Sequence, residues 1–192
     1  TPLQLCQMMA QLANGGFKIY PKIIVEENSK TVEEIRVIMN ENRKQLNKKD
    51  NGLKDATELL GFLDKKEHEP LFKNSKNINI VREAIFASTN EVRGTSYSSR
   101  IDDPKYQFAG KTGTSQVKRI TKAERELDLK TFEIPYNERD HALYIAFGPY
   151  KNPRYALSIV VEHGGSGSSA AAPIAKKLFK LIIDRQDRKS VV

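Results

Sequence analysis

Hydrophobic residues recur along this chain with two different periods, one typical of helices and one typical of strands. In the opening stretch "TPLQLCQMMAQLANGG" the apolar positions fall on one face at helical spacing, at Leu5, Met8, Met9 and Leu12. Thr1 can cap this predicted helix, and Gly15 and Gly16 follow its last turn. The chain is therefore expected to begin with an amphipathic helix.

The next section is more strongly charged and also has helical spacing. From about residue 31 to residue 76 it predicts a charged helical insert, a pair of surface helices separated at Asn51-Gly52. A further helix is predicted from about Ile78 to Val92, with Gly94 just past its end. The residues expected to face inward from it are Ile80, Val81, Ala84, Ile85 and Ala87.

After Gly94 the spacing changes from helical to alternating. The stretch "YQFAGKTGTSQVK" is rich in Thr, Val and aromatic residues and predicts a strand. "HALYIAFGPY" and "RYALSIVVEH" predict an antiparallel hairpin that turns at Asn152-Pro153. The run "GGSGSS" precedes a final helix, whose expected inward residues are Ile174, Ala175, Leu178, Phe179, Ile182 and Ile183. This order predicts an α+β fold in which helices cover an antiparallel sheet.

Composition fits one domain of ordinary size and narrows the kinds of site to consider. The 192 residues are 39% hydrophobic, which is enough apolar material for a core. The formal charge of +8 is spread among acidic residues, a pattern that favours a solvated basic surface over a nucleic-acid interface. Cys6 is the only cysteine and the 3 histidines are far apart, so we expect no disulfide, no metal site and no cofactor.

The start of the sequence bears on whether this chain is part of a longer protein. No stretch of about twenty apolar residues is present, and no basic-then-apolar leader precedes the first helix. The chain opens at Thr1, on a helix cap rather than on a Met. Such a start is expected of a piece cut from a longer protein.

The stretch "YQFAGKTGTSQV" carries the candidate chemistry and has two interpretations. A phosphate-binding loop needs Gly, four further residues and then Gly-Lys-Thr entering a helix. Lys105 stands where the first glycine of that loop should be, and the residues after Thr112 start a helix poorly. The sequence therefore argues against a phosphate-binding loop.

The second interpretation is an edge strand that borders a cleft. An extended peptide can pair with such a strand while a lysine and hydroxyl groups bind its carboxylate. Lys111, Thr112 and Thr114 are residues of these types. Gly113 between them would allow a ligand backbone to approach closely. The pattern favours a site for a peptide with an anionic end.

Taken together, these motifs resemble those of a known family. "GKTGTSQV", the hairpin "HALYIAFGPYKNPRYALSIVVEHGGSG" and the opening helix are similar, in this order, to the C-terminal part of the transpeptidase domain of class B penicillin-binding proteins. The elongation-type branch, penicillin-binding protein 2, is the most similar. The resemblance implies that residues 1–192 are the C-terminal portion of one transpeptidase domain, with the charged insert as its most variable part.

The activity implied by the resemblance is that of a serine-type D,D-transpeptidase. In this family a serine forms an acyl-enzyme with a peptidoglycan stem peptide, releases the terminal D-Ala and passes the acyl group to an amine, and β-lactams trap the acyl-enzyme. The site combines Ser-x-x-Lys, a Ser-x-Asn triplet and Lys-Thr-Gly. Because only the last is mapped onto this chain, we expect the nucleophile upstream of Thr1 and the chain alone to be inactive.

By the same resemblance, Lys111 and Thr114 are catalytic residues, and Thr112, Gly113 and Thr114 bind substrate. Lys111 would supply positive potential and support proton transfer. The hydroxyls of Thr112 and Thr114 would bind the substrate carboxylate, and the Thr114 backbone N–H would be one of two oxyanion donors.

Other polar groups are given structural interpretations. Ser88-Thr89-Asn90 has the Ser-x-Asn pattern but is predicted to be a polar helix end. Glu162-His163 is predicted to form a turn, with Ser168 or Ser169 capping the final helix, and a role in shaping the cleft floor stays open. His141, at the start of a strand, is predicted to be a core or hydrogen-bonded histidine rather than a catalytic one.

The resemblance also implies surroundings for the parent protein. It places the parent on the periplasmic face of the bacterial inner membrane, anchored by an N-terminal transmembrane helix that is not in this chain. The implied partners are stem peptides, β-lactams and cell-wall elongation proteins, and not nucleic acid. An exposed edge of "RYALSIVVEH" would allow self-association. A rival hypothesis is a basic, non-catalytic module that binds protein or nucleic acid.

Overall fold

The fold is known for most of the chain outside the charged insert. A computed structural model describes residues 1–21, 71, 74–119, 121–122, 126–127 and 129–189. The helical pair predicted within residues 31–76 lies almost entirely outside the described residues. The elements are α1 (Pro2–Ala13), α2 (Ser75–Asn90), β1 (Ala109–Ser115), β2 (His141–Gly148), β3 (Tyr155–Val161) and α3 (Ala172–Lys189). Their order confirms the predicted α+β class.

The three strands form one antiparallel sheet in the order β1-β2-β3. Thr112 of β1 lies opposite Tyr144 of β2, and Ala146 of β2 lies opposite Leu157 of β3. The β2–β3 pair is the predicted hairpin, and the Arg154 backbone N–H closes its turn by donating to the Gly148 carbonyl at 3.0 Å. Among the described residues β1 and β3 are therefore the two edges of this sheet.

Helices cover the sheet, as predicted, and they do so on both of its faces. On one face α3 packs on Phe108 and on the inward side chains of β2, in a cluster of Ala142, Tyr144, Ala146, Ala175, Phe179 and Ile183. The rings of Phe108 and Phe179 stack with their centroids 4.9 Å apart. On the opposite face α1 and α2 pack on a second cluster, formed by Met9, Ala13, Ala109 and Phe147 with Ile85 and Phe86 beside it. Burial on both faces fixes the position of β1.

The first helix begins as the sequence predicts. The Thr1 hydroxyl accepts a hydrogen bond from the Gln4 backbone N–H, and the amino terminus donates to Gln4 Oε1, which completes a capping box. Gly15 and Gly16 follow the helix with φ of 98° and 95°. Met9 is fully buried, whereas Met8, predicted on the same face, is exposed. The inward face is therefore narrower than the spacing of apolar residues indicates.

The inward face of α2 differs from the prediction. The helix runs from Ser75 rather than from about Ile78, and it buries Ile78 and Thr89. Ile80, Val81 and Ala84, all predicted to face inward, are exposed. The cause is Arg82, whose guanidinium lies over the Phe147 ring at 5.6 Å and so occupies the inward face between Ile78 and Ile85.

The final helix follows the prediction at its buried residues and departs from it at its start. Ala175, Phe179 and Ile183 are buried as predicted, whereas Ile174 and Leu178 are exposed. A π-helical turn over Gly167–Ala171 precedes α3. Ser168 and Ser169 lie inside that turn, so the prediction that one of them caps the helix is wrong. Within the described residues no helix is both long and apolar enough to cross a membrane.

Candidate functional site

The outer edge of β1 is where the predicted site residues lie. The Gly110 backbone N–H donates to Thr89 Oγ1 at 3.0 Å, and Thr89 Oγ1 donates to the Gly110 carbonyl at 3.1 Å. Both polar groups of Gly110 therefore point away from β2. Because groups two residues apart on a strand point to the same side, the N–H and C=O groups of Thr112 and Thr114 also point outward.

No strand of the described residues pairs with this outer edge from Thr112 onward. Thr89 closes it at Gly110, and no described residue forms a hydrogen bond with the backbone N–H groups of Thr112 or Thr114. Thr114 is exposed and Thr112 is half-buried. An unpaired strand edge of this kind is a template for an extended peptide.

Lys111 places its positive charge beside the same edge. The side chain is exposed, and its ammonium donates to the Thr112 carbonyl at 3.0 Å and to Thr112 Oγ1 at 3.2 Å. The charge thus lies next to one hydroxyl and one outward-facing peptide group. An anion bound here would receive a charge-assisted hydrogen bond.

A line of hydroxyl groups continues from Thr112 to the end of α2. Thr112 Oγ1 lies 3.2 Å from Thr95 Oγ1, which lies 3.3 Å from Ser88 Oγ. Sequence reasoning missed Thr95, because it lies far from Thr112 along the chain and belongs to no motif. The only local signal is its position just after Gly94, which marks the helix end.

The triplet Ser88-Thr89-Asn90 is confirmed as a polar helix end. Thr89 is fully buried and also lies 2.9 Å from the Tyr144 hydroxyl. Asn90 donates to the Phe108 carbonyl at 2.9 Å. These bonds attach the last turn of α2 to β1 and to Phe108, the residue before β1.

Tyr144 completes the buried part of this network. Its hydroxyl lies 3.0 Å from Ser96 Oγ, and burial raises its pKa, while the hydrogen bonds from Ser96 and Thr89 oppose that rise. A Cβ placed on Gly110 would lie 2.3 Å from the Tyr144 hydroxyl oxygen. Glycine at position 110 is therefore required by packing inside the protein.

Gly113 lies where the turn before α3 meets the sheet. A Cβ on Gly167 would lie 2.5 Å from the Leu143 carbonyl oxygen and 2.7 Å from the Gly113 carbonyl oxygen. The backbone of that turn thus rests directly on β1 and β2. A Cβ on Gly113 itself would meet only the Leu143 Cβ, at 3.3 Å. Close approach of a ligand to Gly113 stays a prediction.

The histidines at the far end of the sheet are hydrogen-bonded, as predicted for His141. The His163 backbone N–H donates to His141 Nδ1 at 3.0 Å, and His163 Nδ1 lies 3.0 Å from the Arg139 carbonyl. His163 has a φ of 54°, which fits the predicted turn after β3. Among the described residues no group of three His, Cys, Asp or Glu side chains has the arrangement of a metal site.

One Ser-x-x-Lys spacing, from Ser115 to Lys118, was passed over by the sequence reasoning. The structure gives its two side chains other surroundings. Ser115 is the exposed last residue of β1. Lys118 is paired with Glu138, with Nζ and Oε2 2.6 Å apart. A lysine held by a carboxylate is a poor base for a neighbouring serine, which argues against Ser115 as a nucleophile.

Comparison with known proteins identifies the family that this fold and edge define. Residues 1–180 match the family model described as the penicillin binding protein transpeptidase domain. The chain belongs to the penicillin-binding protein transpeptidase family.

Its relatives include proteins of the PBP2 (MrdA) type. The chain is 32% identical to the peptidoglycan D,D-transpeptidase MrdA of Salmonella typhimurium over 97% of its own length and 25% of that protein. It is 40% identical to MrdA of Acinetobacter baumannii over 41% of its length and 11% of that protein. The chain thus spans about a quarter of the length of the first of these relatives.

Solved structures show the same fold. The chain superposes on PBP2 of Pseudomonas aeruginosa with a TM-score of 0.57 and 25% identity, over 94% of this chain and 30% of that one. It superposes on PBPA of Mycobacterium tuberculosis with a TM-score of 0.51 and 21% identity, over 94% of this chain and 33% of that one. The predicted family and transpeptidase-like fold are therefore confirmed.

Proposed function

We propose that this chain is the C-terminal portion of a D,D-transpeptidase domain and supplies the Lys-Thr-Gly-Thr strand that binds the substrate. The parent protein would cross-link peptidoglycan stem peptides through a serine acyl-enzyme. The observation that carries the proposal is the outward-facing edge of β1 at Thr112 and Thr114, with the Lys111 ammonium beside it. The name of the MrdA relatives, peptidoglycan D,D-transpeptidase, supports the reaction class.

Substrate binding follows from the groups on this edge. The D-Ala-D-Ala end of a stem peptide is extended and can pair with the outward N–H and C=O groups of β1. Its terminal carboxylate would be bound by Lys111 and by the hydroxyls of Thr112 and Thr114. Lys111 Nζ and Thr112 Oγ1 are already 3.2 Å apart, so both can reach one carboxylate.

Thr114 would also act on the reacting carbonyl. Its backbone N–H points outward and is aimed at a peptide paired with the edge. When a serine oxygen attacks the penultimate D-Ala carbonyl, negative charge develops on the carbonyl oxygen, and this N–H donates to it. The C–N bond to the terminal D-Ala then breaks, and the released D-Ala amine takes the proton that the serine has lost. An amine of a second stem peptide next attacks the acyl-serine carbonyl, the C–O bond to the serine breaks, and the serine oxygen takes up the proton that the amine loses.

The nucleophile and its lysine base would come from a part of the parent outside this chain. Ser115 and Lys118 have the right spacing but would not act as nucleophile and base, because Lys118 is paired with Glu138. The chain alone is therefore expected to be inactive. β-Lactams carry a carboxylate and a reactive amide like those of D-Ala-D-Ala, so they would acylate the same serine of the parent.

The setting of the parent is part of the proposal. Because the proposed substrate is the peptidoglycan stem peptide, this edge would lie on the periplasmic face of the inner membrane. The parent would be anchored in that membrane and would work with cell-wall elongation proteins. The similarity to MrdA relatives supports this setting.

Intact-mass spectrometry after incubation with benzylpenicillin tests the proposal. The parent should gain one penicilloyl group on a serine outside residues 1–192, and this chain should gain none. The parent carrying Ser115→Ala should still be acylated, which serves as the matched control. A folded parent that gains no adduct would contradict the proposal. It would leave the basic interaction module, whose binding falls steeply with salt, as the hypothesis to test.

A further inference from the structure

The hydroxyl group of Thr112 has a single hydrogen and two hydrogen-bonding neighbours. Lys111 Nζ lies 3.2 Å from Thr112 Oγ1, and Thr95 Oγ1 lies at the same distance of 3.2 Å. A substrate carboxylate would be a third neighbour. A hydroxyl carries one hydrogen and two lone pairs, so the direction of each bond decides whether the carboxylate can bind.

Whether Thr95 donates or accepts in its hydrogen bond with Thr112 decides what the Thr112 hydroxyl presents to a carboxylate. The Lys111 ammonium can only donate, so it occupies one lone pair of Thr112. If Thr95 donates as well, both lone pairs are occupied and the Thr112 hydrogen is free for a carboxylate oxygen. If Thr95 accepts instead, the Thr112 hydrogen is used internally, and Thr112 presents a lone pair that repels an anion.

Ser88 is placed to support the productive direction, and a bound carboxylate selects that direction because it can only accept. Its hydroxyl lies 3.3 Å from Thr95 Oγ1 and can donate to it. Thr95 then accepts from Ser88 and gives its own hydrogen to Thr112. The three hydroxyls would form a chain that runs from Ser88 through Thr95 to Thr112 and ends on the carboxylate, with every donor used once.

The backbone around Thr95 is held in place. A Cβ on Gly94 would lie 2.4 Å from the Ser88 carbonyl oxygen, so the turn packs directly on the end of α2. Ser96 is buried, and its backbone N–H and its hydroxyl both donate to the Ser88 carbonyl at 3.1 Å. Thr95, between these two residues, is exposed toward the edge of β1 and has a fixed position relative to it.

We propose that Thr95 is a positioning residue for substrates and β-lactams that carry a free carboxylate, because it directs the Thr112 hydroxyl hydrogen toward that carboxylate. The inference rests on the proposed function and adds a residue outside the Lys-Thr-Gly-Thr strand to the same site. Thr95 itself does not touch the reacting atoms.

The test compares acylation rates of the parent protein with benzylpenicillin and with its methyl ester, which has no free carboxylate. Thr95→Val should slow acylation by benzylpenicillin about 3- to 10-fold, the effect of one misdirected hydrogen bond. Acylation by the ester should not change. Thr95→Ser should restore the rate with benzylpenicillin, because it keeps the hydroxyl. Ser98→Ala, at an exposed position of the same loop, is the control and should change neither rate.

A double mutant separates action through Thr112 from other effects. In a parent that already carries Thr112→Val, adding Thr95→Val should cause no further loss. Three results would each overturn the inference while leaving the proposed function intact. They are losses of acylation rate that add in the double mutant, an equal loss of rate with the methyl ester, and no loss of rate from Thr95→Val. A folded parent that benzylpenicillin does not acylate at all would overturn the proposed function, and this inference with it.

Discussion

The side-chain oxygen of Thr89 bonds both backbone polar groups of Gly110, at 3.0 Å to its N–H and 3.1 Å to its carbonyl. One buried side chain of α2 thus takes the place that the next strand would occupy in the sheet. This relationship sets where the free edge of β1 begins, because a peptide can pair with the edge only beyond Gly110. It also holds β1 at a fixed distance from α2.

Thr89→Val tests how much this bond contributes to stability. Valine has nearly the same shape as threonine but leaves both Gly110 groups without this partner and removes one of the two hydroxyl neighbours of Tyr144. We expect the free energy of unfolding to fall by about 1–3 kcal/mol, the cost of leaving buried polar groups unsatisfied. Denaturant unfolding of the parent, with Thr89→Ser as the conservative control, measures it. A change in the free energy of unfolding within about 0.5 kcal/mol would mean that the contact does not contribute to stability.

Lys111→Ala should slow acylation of the parent by benzylpenicillin about 10- to 100-fold, because a charge-assisted contact with the carboxylate is lost. Folding should be unaffected, since Lys111 is exposed and, among the described residues, its side chain bonds to the neighbouring Thr112 alone. Stopped-flow acylation kinetics measure the rate. Lys177→Ala removes an exposed charge on α3 and is the matched control for net charge. Equal rates in the two variants would remove Lys111 from the site.

Thr114→Pro should slow the same reaction about 100- to 1,000-fold by deleting the proposed oxyanion donor. The fold should tolerate it, because the Thr114 N–H faces outward and proline is accepted at such positions of an edge strand. Gly113→Pro is the informative contrast. The Gly113 N–H faces β2, so that variant should lose a ladder hydrogen bond and unfold at a lower temperature. A normal acylation rate in folded Thr114→Pro would contradict the assignment.

The sheet could be predicted from the sequence because its signals are local. Alternating apolar residues and the turn at Asn152-Pro153 gave the hairpin, and the change of period after Gly94 gave β1. The inward face of α2 could not be predicted. Arg82 covers an aromatic ring of the sheet and takes an inward position that a hydropathy pattern gives to Val81.

The candidate site could be predicted only where residues are neighbours in sequence. Lys111 to Thr114 form one motif and lie together on one strand. Thr89 and Thr95 reach that strand from the end of α2 and the following loop, and their hydroxyl bonds exist only after the helix has packed on β1. Neither residue differs in type from an ordinary helix end or turn, so no local pattern marks them.

Tyr144 should make the stability of the protein depend on pH in the alkaline range. Burial raises its pKa above the ordinary value of 10.0. Above that value the unfolded chain releases this proton more readily than the folded one does, so the free energy of unfolding falls as pH rises through and beyond 10.0. Tyr144→Phe should be less stable at neutral pH but should show a shallower alkaline decline. Unfolding of both proteins in denaturant across this pH range measures the slopes, and equal slopes would contradict the role of Tyr144.

Gly167→Ala should disturb the site through the turn that packs directly on β1 and β2. The added Cβ would lie 2.5 Å from the Leu143 carbonyl oxygen and 2.7 Å from the Gly113 carbonyl oxygen, and neither backbone atom can move without displacing its strand. We expect a loss of about 1–3 kcal/mol in the free energy of unfolding from this overpacking. Acylation of the variant parent should also slow, because the displaced strand carries Lys111 and Thr114. Ser169→Ala, at an exposed position of the same turn whose hydroxyl makes a long 3.4 Å bond to the Ser166 carbonyl, is the control and should leave stability nearly unchanged. If Gly167→Ala were as stable and as fast as this control, the contact between the turn and β1 would not hold the binding edge in position.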